Sequence, residues 1–201
     1  MISITIIIIA ITTLISIAAF SNESLSNKLI LYPRQMNSPE EYYRFLTSGF
    51  IHADWNHLIF NMYSLYLFGM IAEQLIGNSV LFIVLYLSGI IVSSIYPFVK
   101  NRNNSYYRAL GASGGVSSVI FFFIYYFPWA GMGIIFIPVH IPAILFAGLY
   151  LLYSIVMSNR GRDNVGHDAH IGGSLYGMFF AFLVDPSHGA RFLDSMLHPQ
   201  F

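Results

Sequence analysis

The chain has 201 residues, 56% hydrophobic and 9% charged, with nine basic side chains against nine acidic ones and no cysteine; mean hydropathy is +0.65. Soluble domains carry about 25% charged residues, so this composition excludes a soluble surface and reads as one integral membrane domain. Balanced charge with no basic run beyond Lys100-Asn101-Arg102 argues against a nucleic-acid partner, and the lack of cysteine removes disulfides, thiolate metal sites and a cysteine nucleophile.

Six apolar stretches, at 2–20, 57–76, 79–99, 113–127, 141–157 and 169–184, predict an all-α polytopic membrane protein with six transmembrane helices in a single domain over 1–201. The first has no Lys or Arg before it, and Ala18-Ala19-Phe20 makes a poor cleavage site, so it is expected to be a span and not a removed signal. A span needs about 17–25 residues, which leaves the fourth, fifth and sixth short and implies thinned bilayer or sunken ends. Period-2 alternation is absent, so closed helices are the expected spanning form. Pro97, Pro128, Pro138, Pro142 and Pro186 punctuate the edges of these runs.

The polar loops 21–56, 100–112 and 158–168 alternate with short or apolar connections, Gly77-Asn78 and 128–141. With six spans the three polar loops share one side, from which the second, fourth and sixth helices start. Ser113, His170 and the pair His57/Asn61 then enter the membrane from one face, at a common depth.

Polar groups are costly in lipid, so an intramembrane Ser/His pair is a functional signal by default. Serine is a weak nucleophile until a base takes its proton, and histidine is the usual base. Ser113 also fits a helix N-cap, but Gly111, Gly114 and Gly115 around it cost helix propensity and suit a tight backbone approach. G-x-S-x-G also occurs at the nucleophile turn of soluble α/β hydrolases; that motif needs a buried strand before it, and the polar 103–110 segment with Arg108 is not one. His170 lies one turn before Gly173, on the Gly173/Gly177 face that lets two membrane helices approach. Asp168, two positions from His170, points about 200° away on a helix, so a Ser113/His170 dyad without that carboxylate is expected. His57 and Asn61 share one face at i, i+4, and with the Ser113 N–H are candidate oxyanion donors; Asn61 as interhelical glue is the alternative. His167 reads as an interfacial polar residue.

These residues in this order resemble the rhomboid intramembrane serine proteases. Tyr43-Arg44 is similar to the Trp-Arg motif of the family's first loop. His52-Ala-Asp-Trp-Asn-His57-Leu-Ile-Phe-Asn61 resembles its H-x4-H-x3-N block. Gly69-x3-Glu73-x3-Gly77, Gly111-Ala112-Ser113-Gly114 and Ala169-His170-x2-Gly173-x3-Gly177 resemble three further motifs. The resemblance implies a bacterial six-helix type of member, with Ser113 as nucleophile, His170 as base, and His57 and Asn61 in the oxyanion hole. It implies cleavage of transmembrane protein substrates in or near their membrane segments, contact with membrane lipid, no metal or cofactor, and a multi-pass place in a bacterial inner (cell) membrane. Some members stack an aromatic, four residues after the nucleophile, on the histidine. Here that position is Ser117, so support for the His170 ring is expected from elsewhere, Tyr176 being one candidate.

Eight of the nine basic residues lie in the catalytic-side loops and only Arg191 opposite. The positive-inside rule would therefore put that side in the cytoplasm, whereas the resemblance puts it outside. A zinc protein is one rival, since His52, His57, His167 and His170 share a side, though no H-E-x-x-H is present. A non-catalytic rhomboid-like binder is another. The fifth helix is expected to be a movable gate, with Phe146 meeting the second helix and loop 158–168 as a lid.

Overall fold

The computed structural model describes residues 3–134, 137–160 and 166–199. Helix α1 runs from Ile4 to Phe20, the short α2 from Glu23 to Leu29 and α3 from Arg44 to Thr47. Long helices α4 (Trp55–Ile76) and α5 (Ser79–Lys100) follow, then α6 (Ser113–Tyr126). A two-stranded hairpin, β1 (Gly131–Ile134) and β2 (Ile137–Pro142), leads into α7 (Ala143–Arg160), α8 (His167–Val184) and α9 (His188–Leu197).

The punctuation is local chemistry. Asp54 accepts the His57 N–H at 2.8 Å and starts α4; Gly77, at φ +61°, ends it. Asn78 then accepts the N–H groups of Val80 and Leu81 and starts α5. Helix α1 is capped from outside. The Glu73 carboxylate near the end of α4 accepts the Ile4 and Thr5 N–H groups at 2.7 and 2.9 Å and the Ser3 and Thr5 hydroxyls at 2.6 and 2.8 Å. The first N–H groups of a helix have no partner within it, so one carboxylate fixes α1 antiparallel to α4.

All six expected helices are present, as α1 and α4 to α8. Only α4 and α5, 22 residues each, are long and apolar enough among the described residues to cross a membrane by length and composition. The 14-residue α6 spans about 21 Å, against a hydrocarbon core of about 30 Å. Three expectations need correction. The chain is mostly helical but not all-α: Gly131–Ile134 pairs antiparallel with Ile137–Pro142, where an apolar connection and the start of the fifth helix were expected. Pro97 sits inside α5, in its last turns, where the ring costs only terminal hydrogen bonds. The polar 21–56 loop also carries α2 and α3.

The core is built around α6, which is buried almost throughout from Gly114 to Tyr125 and packs against α8, α5 and α4. Its closest partner is α8. A Cβ at Gly173 would stand 2.2 Å from the Gly114 carbonyl oxygen, and one at Gly177 2.1 Å from that of Ser118. The Ser118 hydroxyl donates across the seam to the Gly173 carbonyl at 3.0 Å. Helix α7 packs chiefly on α8, with lighter contact to α6 and the hairpin. The first loop is laced from within by buried Arg44, which donates to the carbonyls of Asn27 and Ile30 and pairs with Glu41.

Candidate active site

The chain reaches α6 through a turn that only glycine can make. Gly111 has φ +117°, and a Cβ there would lie 2.6 Å from Cε1 and 2.8 Å from Nε2 of His57. The turn is fastened at each end. Leu31 and Ala109 exchange two backbone hydrogen bonds at 3.0 Å. The Gly111 N–H donates to the Ser48 carbonyl at 2.9 Å, and the Ala112 N–H donates to His52 Nε2 at 3.2 Å.

That last bond sets the state of His52. Its Nε2 accepts, so the proton is on Nδ1, which faces the Ser16 hydroxyl at 2.9 Å; the Ser16 O–H is itself given to the Phe50 carbonyl. His52 is buried and neutral, its pKa pushed down to about 3, first by burial and then by the neighbouring His57. One imidazole thus ties α1, the loop and the turn before Ser113 together.

Ser113 is the first residue of α6, not its N-cap; Ala112 holds that position and makes no side-chain cap bond. The Ser113 Oγ lies instead 2.9 Å from Nε2 of His170, one turn into α8 from its start. The glycine seam between α6 and α8 delivers this distance, as the Gly173/Gly177 spacing predicts. Both side chains are half-buried. A water-sized cavity of about 20 Å³ lies alongside, lined by Ser48, Ser93, Ser94, Gly111 and Ser113 among others.

The other expected site residues divide. His57 reaches the turn: its ring lies against Gly111 and meets His52 edge-on at 4.9 Å. Asn61 is buried, and its amide nitrogen donates to the His57 carbonyl at 2.8 Å, so one of its two hydrogens is spent within α4. Asp168 is turned away from the dyad, as its spacing predicts, and holds Lys100 of α5 at 2.8 Å and the Ser158 hydroxyl of α7. His167 is buried, not interfacial, and packs edge-on against both Tyr153 and His170.

Support for the His170 ring comes from α7. Tyr150 stacks on it with centroids 5.7 Å apart and planes at 23°. Tyr176, the candidate from sequence, meets the Ser88 hydroxyl on α5 instead. Phe146, expected to meet α4, stacks on Tyr150 at 5.7 Å and 14°. Residues 161–165 of the expected lid lie outside the described residues. Sequence reasoning thus missed Tyr150, which no motif marks, and the anchoring role of His52, which the H-x4-H-x3-N block marks without saying what it holds. Among the described residues no three His, Asp or Glu side chains converge as a metal site would need.

The comparisons bear on the same stretch. A family model described as Rhomboid domain matches residues 39–187. The chain belongs to the rhomboid family. The matched span holds Arg44, His52, His57, Asn61, Ser113, Tyr150 and His170, and leaves α1, α2 and α9 outside. Similar proteins include RHOMBOID-like protein 12, mitochondrial, of Arabidopsis thaliana, 32% identical over 146 residues, 64% of this chain and 42% of the relative. Presenilin-associated rhomboid-like protein A, mitochondrial, of Danio rerio is 32% identical over 139 residues, 66% of this chain and 35% of the relative. Rhomboid-like protein 11, chloroplastic, of Arabidopsis thaliana is 27% identical over 156 residues, 71% of this chain and 52% of the relative. This rhomboid chain therefore spans about a third to a half of the length of these relatives.

Proposed function

We propose that this rhomboid chain is an intramembrane serine endopeptidase that cleaves peptide bonds in or near the transmembrane segments of other membrane proteins. The observation that carries the reading is the 2.9 Å approach of Ser113 Oγ to His170 Nε2 at the mouth of two helices held together by glycines. In this reading the single domain crosses the membrane six times, through α1 and α4 to α8, and lipid surrounds it. The relatives carry mitochondrial and chloroplastic names, which lend no support to the bacterial inner membrane expected from sequence; residence in a membrane is what carries over.

The chemistry balances without a cofactor. Ser113 Oγ adds to the scissile carbonyl carbon as its proton passes to His170 Nε2. The tetrahedral intermediate collapses, the C–N bond breaks, and the leaving amine takes that proton. A water that gives its proton to His170 then adds to the acyl carbon, and the ester C–O bond breaks as Ser113 Oγ takes that proton back from His170. The cavity beside Ser113 has room for such a water. The oxyanion is held by the first-turn N–H groups of α6, backed by the helix dipole, with His57 and the second amide hydrogen of Asn61 as further donors.

The other reading, a non-catalytic rhomboid-like binder of membrane proteins, gains only from the relatives' uncommitted names. It gives no reason for Ser113 to face His170. The test is purified protein in detergent with a model transmembrane substrate, and a fluorophosphonate probe for an activated serine. Wild type should cleave and label; Ser113→Ala should do neither and His170→Ala should lose both by several orders of magnitude, with unchanged melting. A wild type that binds substrate yet neither cleaves nor labels would leave the binder.

A further inference from the structure

Helix α7 lays a ring on the base. Tyr150 stacks on His170 at 5.7 Å and 23°, within the range at which aromatic pairs hold one another. The other end of the same side chain is tied down: its hydroxyl lies 3.0 Å from the Ser117 hydroxyl. Ser117 is one helical turn after Ser113 on α6, so Tyr150 bridges the helix of the nucleophile and the ring of the base. Phe146, one turn earlier on α7, stacks behind it at 14° and limits its tilt.

An imidazole turns about its Cβ–Cγ bond, and each turn sweeps Nε2 away from Ser113. A ring stacked on one face opposes that rotation, and the Ser117 bond stops the tyrosine from sliding. His167 adds an edge contact at 5.8 Å from the same helix as His170, but it moves with α8. Tyr150 belongs to a different helix, and one that packs chiefly on α8.

We infer that Tyr150 is a positioning residue for His170, so that the dyad is aligned only while α7 is seated against α6 and α8. The inference rests on the proteolytic reading above. It makes α7 a reporter: a displacement of that helix that slides Tyr150 off the imidazole loosens the base, and reseating restores it. Chemistry then follows the return of α7, which restricts hydrolysis to a closed site.

The experiment compares Tyr150→Leu, Tyr150→Phe and Ser117→Ala with wild type, using a transmembrane substrate and the fluorophosphonate probe. Leu149→Ala, an exposed neighbour on α7, is the control. Tyr150→Leu loses the stack: kcat should fall about 10- to 100-fold, the scale of a misplaced base, with KM within about twofold, and labelling should slow in parallel. Tyr150→Phe keeps the stack and should retain kcat within about threefold; Ser117→Ala should fall between the two. Equal kcat for wild type and Tyr150→Leu, or a Phe variant as impaired as the Leu variant at matched melting temperature, overturns the positioning role while leaving the proteolytic reading intact. Wild type that neither cleaves nor labels removes both.

Discussion

Replacing Gly173 by alanine tests the contact that sets the dyad. The new Cβ would stand 2.2 Å from the Gly114 carbonyl oxygen, about 1.2 Å short of the 3.4 Å at which ordinary contact begins. The atom in the way is backbone, so no side chain can swing aside. Helices α6 and α8 must separate or slide by about that amount, and Ser118 then loses its hold on the Gly173 carbonyl. Overpacking of this kind costs about 1–3 kcal/mol. Gly173 is one turn from His170 and Gly114 adjoins Ser113, so the same displacement takes the 2.9 Å Ser113–His170 bond out of hydrogen-bond range. A misplacement of about 1 Å costs about 100-fold in rate. Melting in detergent should drop by several degrees, and cleavage and fluorophosphonate labelling should fall about 100-fold together. Gly148→Ala on α7 is the internal control. Nothing lies within 4 Å of its added methyl, so helix propensity alone predicts a neutral result or a gain of about 0.5–1 kcal/mol. A Gly173→Ala protein that melts and labels like wild type would show that the seam does not set the dyad spacing.

Glu73→Ala strands the Ile4 and Thr5 N–H groups and two hydroxyls at once, and should lower stability by about 2 kcal/mol, on the scale of a lost cap; a melting curve unchanged by the substitution would remove Glu73 as the α1 cap. His52 has a folded pKa near 3 against an ordinary value of 6.5, so the unfolded chain binds its proton first. Its contribution to stability is complete above pH 6.5 and is lost as pH falls toward 3. Melting temperature should decline across that window, and His52→Gln should flatten the decline; an equally steep curve in the variant would place the acid sensitivity elsewhere. Asp168→Asn breaks the Lys100 ion pair, whose lysine is part-exposed, so activity should stay within a few-fold of wild type, and a loss as large as that of His170→Ala would point to a triad.

Much of the site was legible because lipid makes polar residues conspicuous. Ser113, His57, Asn61 and His170 stand out in apolar runs, and alternating loop character places them at one end of the bundle. Gly173 and Gly177 announced a close helix pair, with the serine-bearing helix as the expected neighbour, since small residues four apart let two membrane helices touch. The helix ends were equally local, fixed by Asp54, Gly77 and Asn78. The hairpin 131–142 escaped notice because its residues carry no alternation and it rests on α7 and the end of α6. Tyr150 escaped because a tyrosine in an apolar helix looks the same whether it faces lipid or a histidine.

The sequence by itself determined the six main helices, their order, the shared end of the polar residues and the pair of side chains that meet there, because these follow from hydropathy, caps and helical period. Only the tertiary structure decided which ring supports His170, what holds the turn before Ser113 and where Asp168 and Glu73 spend their charges. Those are contacts between helices far apart in the chain, and no local pattern encodes which faces of two helices touch.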